Sequence, residues 1–204
     1  MTKHKILKIF GLLLVAGLLF ALTPTQQAQA QTLCVNPGGT DGCYASIQAA
    51  INAADAGDTV SVAAGTYLEN VVVNKAIILQ GAGYADTIVV ATDGNATPLT
   101  FNTSGATVSG FHITHNYTQA ELDAWSFNNS GVVFYQNTTG NTLSNCKVTK
   151  SRNGIYINNA RSNVLQGNII ENNRTGLNLT NYIDGTQILN NTIQGNWTLG
   201  LVYY

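Results

Sequence analysis

The chain has 204 residues, 45% of them hydrophobic and only 9% charged, with a formal net charge of −1. That is enough for one domain with a real core. It argues against a nucleic-acid partner, because phosphate backbones are held by clusters of Lys and Arg.

Residues 1–30 read as a secretory signal peptide. Lys3, Lys5 and Lys8 form a basic start, Ile9 to Leu22 an apolar run, and Ala28-Gln29-Ala30 a small-residue cleavage site that puts the mature start near Gln31. The apolar run is short for a bilayer crossing, so no membrane span is expected in the mature chain. The expected location is secreted, extracellular or on the cell surface. Without the leader, six basic and ten acidic residues remain, a net −4.

Residues 31–57 make a start segment. Cys34 and Cys43 bracket a Gly-rich loop. In an oxidising compartment a disulfide between them would tie down a frayed end; metal binding is the alternative, though no other ligands cluster nearby. Ser46 to Gly57 reads as a short capping helix: Ser46 caps it, Ile47, Ala50, Ile51 and Ala54 share one stripe, and Gly57 suits its stop. One apolar face is what covering the open end of a solenoid requires.

Residues 58–204 read as repeated short strands. Gly131-Val-Val-Phe-Tyr, Gly154-Ile-Tyr-Ile-Asn, Gly176-Leu-Asn-Leu-Thr and Gly200-Leu-Val-Tyr-Tyr are versions of one segment, with glycines 23, 22 and 24 residues apart. A second column holds Leu143 to Val148, Leu165 to Ile170 and Ile188 to Ile193, and Val108 and Ile113 align with Leu143 and Val148. Alternation within each segment means strand with one face buried, and a period near 22 means a β-solenoid. Fifteen Asn lie between Asn137 and Asn196. Asn suits turns because it tolerates left-handed backbone. Asn168 and Asn191 occupy a position where stacked amides would form a ladder, interrupted at Cys146, a small buried thiol, and at Phe111.

The run SIQAAINAADAGDTVSVAAGTYLENVVVNKAIILQGAG, together with the repeats, resembles right-handed parallel β-helix proteins of the pectate-lyase-like superfamily. It is similar to bacterial surface proteins with such repeats and to the start of pectin methylesterases. The resemblance implies an all-β, right-handed parallel β-helix with a short N-terminal capping helix, and leaves activity open. Gly65-Thr-Tyr-Leu-Glu69 matches the esterases' early Gly-x-Tyr-x-Glu, but their later catalytic segments do not follow, so the match reads as a shared structural turn. Lyase chemistry needs clustered carboxylates for calcium and a base. Glu171 and Asp184, 13 residues apart, do not fall one coil apart. The paired aspartates of hydrolytic relatives are not visible either.

Residues 114–130 break the period and read as a loop insertion, the kind of segment that carries binding residues. Tyr117, Trp125 and Phe127 could stack on sugar rings, with Glu121 and Asp123 bonding hydroxyls; the alternative is that Trp125 and Phe127 cover the solenoid flank. His112 and His115 with Glu121 fall short of a certain metal set. No metal, cofactor or catalytic residue is therefore assigned. Arg152, Arg161 and Arg174 are the basic candidates for an acidic sugar. Gly200 to Tyr204 starts a coil, which leads to the expectation of a truncated C-terminus or of end-to-end association through an uncapped last coil. The functional expectation is a secreted or surface β-helix protein that binds an extracellular polysaccharide or serves structural display. The alternative is the N-terminal part of a polysaccharide lyase, hydrolase or epimerase.

Overall fold

The computed structural model describes residues 29–118, 120–121 and 129–204. After β1 (Thr32–Val35) and α1 (Ile47–Ala53), the chain winds through coils of three strands each. The first coil is β2 (Thr59–Val62), β3 (Gly65–Leu68) and β4 (Val71–Val73). The second is β5 (Ile78–Gly81), β6 (Thr87–Val90) and β7 (Leu99–Phe101). The third is β8 (Thr107–Ser109), β9 (His112–Thr114) and β10 (Val132–Phe134). The fourth is β11 (Thr142–Ser144), β12 (Lys147–Thr149) and β13 (Asn153–Asn158). The fifth is β14 (Val164–Gln166), β15 (Ile169–Glu171) and β16 (Thr175–Thr180). The sixth is β17 (Gln187–Leu189), β18 (Thr192–Gln194) and β19 (Leu199–Tyr203).

Strands at the same place in successive coils pair in parallel. Sheet A has the order β1-β2-β5-β8-β11-β14-β17, sheet B β3-β6-β9-β12-β15-β18, and sheet C β4-β7-β10-β13-β16-β19. This is a right-handed parallel β-helix. The register follows the repeats: Val108, Leu143, Leu165 and Ile188 stack in sheet A, and Ile113, Val148, Ile170 and Ile193 in sheet B. Val132, Ile155, Leu177 and Leu201 stack in sheet C.

One coil is too thin to bury its own side chains, so each covers the next. Ile155, Ile157, Leu165, Ile170 and Leu177 are fully buried, and the Phe101 and Phe134 rings stack at 4.5 Å inside. The sixth coil has no described neighbour beyond it, and there Leu199, Leu201 and Tyr203 are exposed.

The other end is closed as expected, with one difference of length. Ser46 caps α1 by accepting the Ala49 N–H, but the helix stops at Ala53, where Ala54 turns extended. Gly57, at φ +92°, instead shapes the next turn, and its N–H donates to the Ala76 carbonyl. Ile47, Ala50, Ile51 and Ala54 are all fully buried against the first coils. The Glu69 carboxylate holds this helix in place. It accepts bonds from the Ser46 hydroxyl at 2.9 Å and from the Ile47 and Gln48 N–H groups at 2.8 and 3.0 Å. Those N–H groups are the ones a first helical turn leaves without partners, so the esterase-like Gly-x-Tyr-x-Glu has a structural job here. Cys34 and Cys43 are joined in a disulfide.

Three amide ladders run up the turns. In one, the Cys146 N–H donates to Asn168 Oδ1 at 3.0 Å, and Asn168 donates to Asn191 Oδ1 at 2.9 Å. A second passes from Ser151 to Asn173 to Asn196. A third passes from Ala106 to Asn141 to Asn163. It stops at Thr186, whose hydroxyl does not reach: Asn163 Nδ2 and Thr186 Oγ1 are both buried without a partner. An asparagine at 186 can place its Oδ1 as Asn191 does under Asn168. Thr186→Asn is expected to stabilise the fold by about 1 kcal/mol, a typical net value for one hydrogen bond, read as a higher urea midpoint with unchanged slope.

Candidate functional site

The insertion follows β9 immediately, so the period breaks at His115 rather than Thr114. Tyr117 turns inward. It is buried, stacks on the His115 ring at 5.0 Å and donates its hydroxyl to the Gly94 carbonyl, so it serves the loop and is not displayed on the surface. His115 is buried too. One ring nitrogen meets the Ser151 hydroxyl at 3.0 Å and the other the Ala96 carbonyl at 2.8 Å. Glu121 is exposed and closes a capping box with Thr118: its carboxylate accepts the Thr118 N–H at 2.7 Å, and its own N–H reaches the Thr118 hydroxyl at 3.3 Å. The bond from the Thr118 N–H, then that from the Thr118 hydroxyl, holds the Glu121 carboxyl below its usual range. Asp123, Trp125 and Phe127 lie outside the described residues.

On the outer face of sheet B, titratable groups from three coils meet. Lys147 Nζ lies 2.8 Å from Glu171 Oε1, Gln194 donates to Glu171 Oε2 at 3.0 Å, and His112 Nε2 meets the Thr149 hydroxyl at 2.9 Å. The Gln194 bond, then Lys147, keeps the Glu171 carboxyl below its usual value. Burial, then Lys147 and Lys150, pushes His112 down to about 4, so it is neutral at pH 7. Cys146 is fully buried, and burial pushes its thiol up to about 12.

Three clefts border the outer face of sheet C. Two adjoin along the turns after its strands: one of about 350 Å³ lined by Asn137, Thr138, Thr139, Asn159 and Arg161, the other of about 200 Å³ lined by Gln136, Asn158, Asn159, Asn181 and Tyr182. Asn137, Asn159 and Asn181 stand one coil apart in the left-handed region, at φ +65°, +52° and +58°. Asparagine tolerates that backbone; Asn159 Nδ2 donates to Asn137 Oδ1 at 3.1 Å, whereas Asn181 Nδ2 donates to Asn158 Oδ1 at 2.6 Å. Arg161 reaches Asp184 at 3.5 Å and lies 5.1 Å over the exposed Tyr182 ring.

The third cleft, about 310 Å³, opens where sheet B turns into sheet C. Arg152, Arg174, Asn153, Thr175, Asn178 and Tyr204 line it. Arg152 and Arg174 occupy the same turn in consecutive coils, as their 22-residue spacing signals. Charge is unevenly distributed along the chain. Residues 130–204 hold five basic and two acidic residues, a net +3, whereas 31–129 hold one basic and eight acidic, a net −7. The clefts therefore lie in the positive half of an acidic protein. The three arginines are legible in the sequence; the Asn groove and the Lys147–Glu171–His112 cluster emerge from the structure. A search for polar residues repeated at the coil period would have marked the Asn groove.

No curated protein matches the chain. Among solved structures it is similar to the Agl-KA catalytic domain, at 21% identity and a TM-score of 0.59 over 76% of this chain and 30% of that one. It is also similar to pectin methylesterase PemA from Erwinia chrysanthemi, at 10% identity and 0.52 over 76% and 57%. A pectin methylesterase mutant in complex with a hexasaccharide gives 11% and 0.54 over 79% and 67%. At these identities the likeness is one of fold, and the chain spans less than two thirds of the first two. Residues 51–204, three quarters of the chain, match the family described as "Periplasmic copper-binding protein (NosD)", and the chain belongs to that family.

Proposed function

We propose that the chain is an exported β-helix module that holds an anionic extracellular or periplasmic polysaccharide across the outer face of sheet C. The observation that carries this reading is the joint placement of the three clefts: amides, an exposed tyrosine and stacked arginines flank one sheet in the positive half of the chain. Amides and hydroxyls suit sugar hydroxyls, an aromatic face suits a sugar ring, and the planar guanidinium suits carboxylate.

The family's description names copper, and the donors present do not fit it. Copper takes imidazole, thiolate or thioether ligands; the whole sequence offers three His, three Cys and one Met. Cys34 and Cys43 are bonded to each other and Cys146 is sealed in the core. His115 has both ring nitrogens engaged, His112 has its Nε2 on the Thr149 hydroxyl, and His4 and Met1 lie outside the described residues. Among the described residues no three His, Cys, Asp or Glu come together.

Affinity electrophoresis through polygalacturonate, with a neutral glucan as control, tests the proposal. Retardation is expected in the acidic gel and should weaken with salt. Arg152→Ala with Arg174→Ala should lower affinity about tenfold or more, since hydrogen bonds to charged groups are worth about 1.5–3 kcal/mol each. Equal mobility with and without either glycan sinks the reading. A second reading, turnover of such a glycan, rests on His112, Lys147 and Glu171 meeting on sheet B. It predicts new reducing ends or unsaturated sugars on incubation.

A further inference from the structure

Asp58 sits at the start of the solenoid, only 5% exposed. Its Oδ1 accepts the Gln31 N–H at 2.7 Å and its Oδ2 accepts the Asp55 N–H at 2.7 Å. The Gln31 carbonyl in turn accepts the Thr59 N–H at 2.8 Å, so residue 31 is pinned through both its N–H and its C=O. The small-residue pattern Ala28-Gln29-Ala30 leads to the expectation of export cleavage after Ala30, with the mature start near Gln31. The nitrogen that faces Asp58 is thus the one that cleavage would turn from a neutral amide into an α-ammonium group.

We propose that Asp58 is the receptor for the chain's own new N-terminus, and that removal of the leader at Ala30–Gln31 completes the fold by making an ammonium–carboxylate pair there. The surroundings favour it. The two backbone N–H bonds, that from Gln31 first, hold the Asp58 carboxyl below its usual range, against burial. The charged groups facing it are Lys75 and the neighbouring Asp55. Lys75 Nζ is engaged by the carbonyls of Asn52 and Ala54 at 2.7 and 2.5 Å and makes no ion pair with Asp58. The new cation would be the direct partner.

The pairing also protects residue 31 chemically. An N-terminal glutamine cyclises when its neutral α-nitrogen attacks its own side-chain Cδ; the new N–C bond replaces the Cδ–Nε2 bond and ammonia leaves. A protonated nitrogen held by Asp58 has no lone pair to attack with.

The test compares two oxidised forms of the chain, one beginning at Gln31 and one retaining Gln29 and Ala30. An α-amino group ordinarily titrates near 7.7–8.0 and is raised by pairing, so its stabilisation is present below about pH 8 and is lost as pH rises through the raised value. The Asp58 side of the pair is lost at the other limit, as pH falls through its depressed value. The Gln31 form should therefore melt about 2–4 °C higher than the extended form at pH 6, the shift expected from about 1 kcal/mol in a protein of this size. The difference should vanish by about pH 10. Asp58→Asn should abolish it and speed ammonia loss from the Gln31 form, followed by intact mass. Parallel pH profiles for the two unsubstituted forms, exported protein starting elsewhere than residue 31, or exported protein already cyclised there would each overturn the proposal. The first comparison needs no variant, so it stands even if Asp58→Asn fails to fold.

Discussion

Asn168→Leu is expected to cost about 3 kcal/mol of unfolding free energy although leucine has the same branched heavy-atom skeleton as asparagine. Asn168 is 1% exposed. Its Oδ1 accepts the Cys146 N–H, and its Nδ2 donates to the Leu143 carbonyl at 2.9 Å and to Asn191 Oδ1 at 2.9 Å. Leucine leaves the Cys146 N–H and Asn191 Oδ1 without this partner and removes one bond from Leu143. A buried polar group left unpaired costs about 1–3 kcal/mol, whereas the apolar gain is small in a turn already closed to water. Asn168→Asp separates the two roles of the side chain. It keeps the acceptor for Cys146 but sets a carboxylate oxygen against the Leu143 carbonyl and Asn191 Oδ1, so it should be at least as costly at pH 7. Urea midpoints for both variants check this. A leucine variant within about 0.5 kcal/mol of the parent, the ordinary range of surface substitutions, would mean that the ladder contributes little beyond what water would supply.

That ladder also shows how far the sequence could be read. Its Asn168–Asn191 rung, the interruption at Cys146, and the alignment of Val108 with Leu143 were all legible, because a β-helix repeats its geometry at a fixed period and side chains alternate faces. The ladders through Asn163 and Asn173 were not separated from the many turn asparagines. An inward asparagine and a left-handed outward one look alike in sequence, and only the structure shows that Asn163 and Asn173 are buried whereas Asn159 and Asn181 rim a cleft. The helix start is legible at Ser46, where a side chain makes the cap. Its end is not, because Gly57 fits a stop by type but is already committed to the Ala76 carbonyl. Tyr117 shows the limit most plainly. Outside the period nothing in one sequence says which way an aromatic ring points, and this one points in, toward His115. The Lys147–Glu171 pair on sheet B was hidden for a related reason. Lys147 stands in register with Ile169, not Glu171, so the contact is a diagonal made by two long side chains.

Gly154→Ala should be at least as damaging, about 3 kcal/mol or more, for the smallest possible side chain. A Cβ there would stand 2.7 Å from the Gly176 carbonyl oxygen, 2.7 Å from Ile170 Cγ2 and 2.9 Å from Asn173 Nδ2. Forcing one extra methyl group into a packed core costs about 1–3 kcal/mol when neighbours can give way. Here one neighbour is backbone fixed at the rung spacing of sheet C, and another belongs to an amide ladder that would be pushed out of reach. The stacking is as close one coil further on, where a Cβ on Gly176 would meet the Gly200 carbonyl oxygen. Position 200 supplies the control. A Cβ on Gly200 meets only Ile193 Cγ2, at 3.6 Å, an ordinary contact. The same glycine column should therefore tolerate alanine at 200, within about 0.5 kcal/mol, the range of unhindered surface substitutions, while rejecting it at 154. A Gly154→Ala variant as stable as its parent would show that the coils do not stack at the register described. A cost at 200 that matches the cost at 154, and that falls on dilution, would mean instead that a second copy covers the sixth coil in solution.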